Sequence, residues 1–244
     1  MLDYDLHALC ARLAPRLRAL LLDAGNTLIF PDWVRIAAWC AEAGAPVSVE
    51  RLQQANAVAT EAWDRFMRGQ APRPPGGLFG AALEAAGVAP EPRETVLARI
   101  AEADREGRLW WVVRPGTVEA LRALRSLGLV LGVVSNADGR VEQFLSEAGL
   151  REHLDFVLDS ALVGVEKPDP AIFRLALERA GASPDEALHV GDICSVDVVG
   201  ARAAGIQAVV IDPTGLYRGC DAPRIRDLGE LAEALSLARR AQAG

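Results

Sequence analysis

The chain predicts an α/β fold, a parallel sheet with helices on both faces and a helical insert after the first strand. Three observations predict it. Beyond "RPG" at 114–116, short apolar runs alternate with helical patterns of about 10 to 12 residues, the rhythm of strand–helix–strand units. Those runs are continuously apolar, as strands covered on both faces must be. Residues 31–108 instead read as helix almost throughout, so they interrupt the alternation as an insert.

The elements follow in order. Leu2, Leu6, Leu9, Leu13 and Leu17 recur at helical spacing and predict an amphipathic helix over 1–16 laid against the core, with a partner-binding helix as the alternative. Leu17 to Asp23 reads as a short buried strand with a polar stop. In the insert, Asp32 and Ser48 are N-cap candidates for helices in "VRIAAWCAEAG" and "VERLQQANAVATEAWDRFM". "GQAPRPPGG" is a loop by its Pro and Gly content, and "EPRETVLARIAEADREG" is a further helix. Then come the helix "TVEALRALRSLG", the strand "LVLGVVSN", the helix "DGRVEQFLSEAG" and the strand "DFVLDS". The helix "DPAIFRLALERAG", the strand "EALHVGD", the helix "SVDVVGARAAG", the strand "QAVVID" and a terminal helix through "LGELAEALSLARR" complete the series. The expected division is a core of 1–30 and 109–244 with a helical domain over 31–108.

A length of 244 residues with 51% hydrophobic content can bury a sizeable core. The net charge of −7 and the scattered arginines give no basic footprint, so a nucleic-acid partner is not expected. No apolar run reaches membrane-spanning length, and Asp3 and Asp5 stand where a signal peptide would carry lysines. Cys10, Cys40, Cys194 and Cys220 lie far apart without a Cys-x-x-Cys pair, which predicts reduced, structural thiols and a cytoplasmic protein; a monomer or homodimer is expected.

In parallel sheets of this kind ligands gather beyond the carboxyl ends of the strands. Four polar clusters stand there: Asp23 with Thr27, Ser135 with Asn136, Lys167 in "GVEKPDP", and Asp192 with Asp197 in "HVGDICSVD". Each alone is an ordinary turn, cap or loop residue. Together they supply a carboxylate nucleophile, further carboxylate for a divalent cation, hydroxyl and amide donors, and a cation for phosphoryl oxygens. Lys167 is also the only lysine; every other basic side chain among the 26 is arginine. A compact ammonium in a crowded anionic site is not freely exchanged for a planar guanidinium.

The order and spacing of "DAGNT", "SN", "KPDP" and "GDICSVD", with "GARAAG" after the last, resemble the haloacid dehalogenase superfamily of phosphatases and related hydrolases over about residues 17–212. The resemblance implies a Rossmann-like core with a helical cap inserted after the first motif, here 31–108. It implies Asp23 as the nucleophile that becomes an aspartyl phosphate. It also implies Mg²⁺ bound by the Asp23 carboxylate, the Gly25 carbonyl and Asp192, with Asp197 as outer support. Thr27 and Ser135, with Asn136 beside them, would hold the phosphoryl group of a small phosphorylated metabolite, and Lys167 would neutralise charge.

Gly25 departs from the pattern, because phosphatases of this family carry there a second Asp that protonates the leaving group. Such general acid-base catalysis contributes typically ~10²- to 10⁴-fold. Three readings follow. The first is a Mg²⁺-dependent phosphatase that uses a good leaving group or borrows an acid from the cap, where Glu42, Glu61 and Asp64 are candidates. The second is a metal-independent 2-haloacid dehalogenase, which needs no such acid but would leave Asp192 an uncompensated anion. The third is a non-catalytic phospho-ligand sensor. A phosphonate-cleaving relative needs a cap lysine, and this cap has none. Arg35, Arg65 and Arg73 could meet an anionic leaving group but read more simply as solvated arginines. The five tryptophans, in or beside the cap, read as core packing. His189, inside a strand, reads as a hydrogen-bonded core histidine rather than a catalytic one, and His7 and His153 carry no signal for a site.

Overall fold

The computed structural model describes residues 5–243. The chain forms two compact units. One comprises the chain up to Phe30, Val113–Pro213 and the part from Cys220 on; the other comprises Pro31–Val112 and Thr214–Gly219.

The first unit is built on a six-stranded parallel sheet, as the continuous apolar runs predicted. Its strands are β1 (Ala19–Leu22), β4 (Val130–Ser135), β5 (Phe156–Asp159), β6 (Ala187–Gly191), β7 (Gln207–Ile211) and β8 (Arg224–Ile225), in the order β5-β4-β1-β6-β7-β8. β2 (Phe30–Pro31) and β3 (Trp110–Val112) pair separately as a two-stranded ribbon. All residues of β1 and β6 are buried, which suits their central places. From β1 the chain builds outward through β4 to β5, then returns to β6 on the other side of β1. Strand order therefore reverses at β1, and the carboxyl ends of β4, β1 and β6 flank the crevice where such sheets bind ligands.

The helices of this unit are α1 (Leu6–Leu13), α6 (Thr117–Ser126), α7 (Val141–Glu147), α8 (Ser160–Val163), α9 (Pro170–Ala180), α10 (Val199–Ala203) and α11 (Leu228–Ala243). α1 starts at Asp5, whose side chain accepts from the N–H groups of His7 and Ala8. It buries Leu6, Leu9, Cys10 and Leu13 and packs against α11, where Gln242 donates to Ala11 O. Leu2 and Asp3 lie outside the described residues, and Leu17 follows the helix. No described helix is long and apolar enough to cross a membrane.

The second unit holds α2 (Trp33–Glu42), α3 (Val49–Met67), α4 (Gly77–Ala85) and α5 (Pro90–Arg105). Asp32 caps α2 by accepting from Arg35 N–H at 2.9 Å, and Ser48 caps α3 by accepting from Arg51 N–H at 3.2 Å. Trp33, Ile36, Leu52, Leu83, Val96 and Leu109 are among its core residues. Trp33 and Trp110 flank Phe79 at ring distances of 6.0 and 5.8 Å, whereas Trp111 is exposed. The unit extends past residue 108 and takes in Thr214–Gly219, a segment that sequence pattern assigned to the core. Tyr217 of that segment is buried, and Arg68, paired with buried Asp64 at 2.8 Å, donates to Gly219 O at 3.0 Å. An interaction over such sequence separation has no local signature.

The cysteine expectation is corrected. Cys194 and Cys220 form a disulfide, with Cα atoms 5.6 Å apart, while Cys10 and Cys40 are free and buried. The two partners stand 26 residues apart in sequence, and only the fold of the intervening α10 and β7 brings them together. The cysteine argument for a reducing compartment is thereby withdrawn.

Candidate active site

After β1 the backbone turns back at once. Asp23 N–H still donates to Val190 O at 2.8 Å, extending the β6 pairing, while the N–H groups of Leu28 and Ile29 donate to Ala24 O at 2.9 and 3.0 Å. Asn26 N–H donates to Ile29 O at 2.8 Å and closes the loop. Asn26 holds a φ of 54°, the left-handed region that asparagine tolerates better than most residues. Its side-chain amide then donates to Asp192 Oδ2 at 3.1 Å, so this turn ties the first motif to the last. Thr27 Oγ1 stands 3.5 Å from Asp23 Oδ2, a long contact.

Lys167 is placed by the loop before α9. Its backbone N–H donates to Asn136 Oδ1 at 2.7 Å, and Asn136 Nδ2 donates to Lys167 O at 2.8 Å. Asn136, expected to hold substrate, thus commits its amide to the lysine loop. The ammonium is almost wholly buried and donates to Asp23 Oδ1 at 2.6 Å and Asp197 Oδ1 at 2.7 Å.

The helix expected over "SVDVVGARAAG" is split. Cys194–Val198 forms a wide turn in which Val199 N–H donates to Cys194 O, and α10 follows. This turn brings Asp197 back against Gly191, where an added Cβ would lie 2.2 Å from the carboxylate carbon. Glycine is required there for the approach. Asp197 Oδ2 accepts from Ile193 N–H at 2.9 Å, and Oδ1 faces His189 Nε2 at 3.0 Å as well as the lysine. Both oxygens of Asp197 are thus engaged by protein groups. Ser135 is buried at the end of β4, paired in register with Asp159. Asp159 in turn accepts from the N–H groups of Gly139, Val141 and Ala161 and shapes the loop after β4.

Two buried carboxylates therefore share one ammonium, and a third, Asp192, is buried nearby with only Asn26 among the described residues donating to it. Burial works against the charge of Lys167, yet Asp197 and Asp23 hold its pKa above the ordinary lysine value. Burial also opposes ionisation of Asp197, but Lys167 and His189 keep its carboxyl below the usual range. Asp23 has the same ammonium and fewer other donors, and burial raises its pKa despite Lys167. Burial, then the charges of Asp23 and Asp197, raise Asp192 well above the ordinary aspartate value. Asp23 and Asp192 are thus the least compensated carboxylates of the site, and oxygen donors of this kind suit a hard divalent cation such as Mg²⁺. Cys194, Cys220 and Asp221 also approach one another, but their two sulfurs are bonded to each other and are not thiolate ligands.

Of the residues expected at the site, Asp23, Thr27, Lys167 and Asp197 are joined by direct contacts, and Asp192 joins them through Asn26. Sequence reasoning missed Asn26, whose only signal was an asparagine in a tight turn after a glycine. It also missed Asp159. Among the acids considered in the insert, Glu42 pairs with Arg99 and Asp64 with Arg68. Arg35 donates to Arg108 O at 3.0 Å, and Arg73 lies over the Trp63 ring at 5.7 Å.

The class this fold and site define is an α/β protein of doubly wound parallel sheet that holds a carboxylate against an ammonium at its switch point. The chain belongs to the haloacid dehalogenase-like hydrolase family, whose sequence profile matches residues 17–205. It is 48% identical over 101 residues to haloacid dehalogenase-like hydrolase domain-containing protein 3 of Mus musculus, covering 41% of this chain and 40% of the relative. It is 40% identical over 136 residues to the phosphoserine phosphatase of Thermus thermophilus, covering 55% and 53%. The chain thus spans about half the length, or less, of these curated relatives. The solved 2-haloacid dehalogenase of Pseudomonas syringae is similar over 91% of this chain and 99% of that one, with TM-score 0.53 and 26% identity.

Proposed function

We propose that the protein is a Mg²⁺-dependent phosphatase acting on a small phosphorylated metabolite. The observation that carries this reading is the cluster of three buried carboxylates, Asp23 and Asp197 on the Lys167 ammonium and Asp192 tied to the same turn through Asn26. A halide-displacing enzyme without metal would leave Asp192 as a buried anion with no purpose, at a cost in stability. Similarity to a phosphatase over part of the chain points the same way.

In this mechanism Lys167 fixes Asp23 through Oδ1, leaving Oδ2, with its long Thr27 contact, as the less committed oxygen. Asp23 attacks phosphorus, the bond to the leaving-group oxygen breaks, and water then hydrolyses the aspartyl phosphate to release inorganic phosphate. Thr27, Ser135 and Lys167 receive the phosphoryl oxygens. Mg²⁺, when held by Asp23, the Gly25 carbonyl and Asp192 with Asp197 in support, supplies the positive charge that lets a phosphate approach a carboxylate. With glycine at position 25 the leaving oxygen receives no proton from that position, which favours substrates whose leaving group departs as a stable anion.

Hydrolysis of an activated aryl phosphate, with and without Mg²⁺, by wild type and Asp23→Asn tests the reading. Metal-dependent turnover lost in Asp23→Asn is expected. Halide release from a 2-halo acid without metal would assign the dehalogenase reaction instead. Absence of both, with a phosphate-dependent rise in melting temperature, would assign a sensor.

A further inference from the structure

His189 has no solvent exposure and lies inside β6, where every neighbour on the strand is apolar or glycine. Its Nε2 stands 3.0 Å from Asp197 Oδ1, and because that partner is a carboxylate oxygen, the proton of the contact sits on Nε2. Nδ1 is buried with no hydrogen-bond partner among the described residues, and the ring meets Phe173 edge-on at 5.0 Å. For packing alone, a leucine would serve without leaving a buried ring nitrogen unsatisfied. The destabilisation that histidine brings here is offset only through the bond to Asp197.

We infer that His189 is a positioning residue for Lys167, acting through Asp197. The inference rests on the proposed use of Asp23 and Lys167 in phosphoryl transfer. Asp197 Oδ1 accepts from both His189 and Lys167, Oδ2 accepts from Ile193 N–H, and Gly191 closes against the carboxylate carbon. Those contacts fix the plane of the carboxylate. The fixed Oδ1 holds the ammonium where it also meets Asp23 at 2.6 Å. Without the imidazole N–H, Oδ1 has the lysine as its one strong donor, the carboxylate can turn, and the ammonium moves with it away from Asp23. A misplaced charge at the nucleophile slows the chemical step more than it weakens binding.

Lys167 is the only lysine, so protein labelled with ¹⁵N-lysine carries a single side-chain ammonium signal, read without substrate or turnover. His189→Gln can place an amide N–H near the position of Nε2, and His189→Leu removes the donor at similar volume. Wild type and His189→Gln are expected to share the Lys167 signal, while His189→Leu shifts and broadens it. On an activated aryl phosphate with Mg²⁺, kcat of His189→Leu falls by about tenfold or more with KM little changed, as for other partners that orient a reacting group, and His189→Gln recovers most of it. Melting curves establish that each variant folds, and His189→Met replaces the leucine variant if that one does not. A folded apolar variant with an unmoved Lys167 signal and wild-type kcat overturns the inference. If Asp23→Asn keeps full turnover, the phosphatase reading fails on its own, and the ammonium signal still decides whether His189 positions the lysine.

Discussion

Replacing Asp192 by asparagine gives a change of opposite sign to that of most buried substitutions. Asp192 is 8% exposed and accepts from Asn26 at 3.1 Å, while both contacts of Lys167 go to Asp23 and Asp197. Burial and the charges of those two acids raise its pKa, so in metal-free protein the ionised carboxylate opposes folding. Asparagine keeps the shape and an oxygen for Asn26 but removes the charge. The gain is on the order of 1–3 kcal/mol, the range for relieving a buried polar group short of partners. A domain of this size shifts its melting temperature by about 2–4 °C per kcal/mol, so metal-free Asp192→Asn melts roughly 2–12 °C above wild type. Mg²⁺ acts the other way. At a hundred times its Kd it stabilises wild type by about 2.7 kcal/mol, or roughly 5–11 °C, and this increment disappears in the variant. Thermal denaturation of both proteins in EDTA and in Mg²⁺ reads all four quantities. A metal-free variant that melts below wild type, or one that keeps the full Mg²⁺ increment, refutes the reasoning.

The same pair predicts a pH dependence. A carboxyl whose folded pKa is raised contributes stability that is complete below its unfolded pKa of about 3.9 and is lost as pH rises through the folded value. The gap between metal-free Asp192→Asn and wild type therefore narrows as pH falls from neutrality toward about 4. Melting curves across that range check it, and a gap that widens on acidification contradicts the assignment. Lys167→Met breaks a buried pair shared by two carboxylates and costs about 3–5 kcal/mol, a fall of roughly 6–20 °C in melting temperature that a thermal scan resolves. Gly25→Asp restores an acid beside the nucleophile and raises kcat on an unactivated alkyl phosphate by on the order of 10²-fold, with a much smaller gain on an aryl phosphate. Equal gains on both substrates would show that leaving-group protonation is not what position 25 lacks. Cys220→Ser opens the link across 26 residues and lowers stability by about 3.5 kcal/mol on the loop-entropy account, whereas Cys10→Ser leaves the disulfide intact.

What could be read from the sequence, and what could not, follows from how far each interaction reaches along the chain. β1, β4, β5, β6 and β7 announce themselves as runs of neighbouring apolar residues, and the caps Asp32 and Ser48 act within one turn. Phe30–Pro31 and Arg224–Ile225, two residues each, are too short to carry a period, and α4 begins at a glycine cap with no side-chain bond after a Pro- and Gly-rich loop. At the site, strand ends mark Asp23 and Asp192 as polar stops, with Lys167 and Asp197 in the loops that follow, but their partners are set by loops that meet only on folding. Asn136 reaches the lysine backbone across 31 residues, and Asn26 reaches Asp192 across 166, so no local pattern could tell a ligand from a brace. Lys167 is the exception, because composition alone sets it apart. Its ammonium touches two carboxylates at 2.6 and 2.7 Å in nearly complete burial. A guanidinium carries its charge over a broader plane and would displace one of those carboxylates, so the site's crowding explains why the one lysine stands here in a chain whose other cations are arginines.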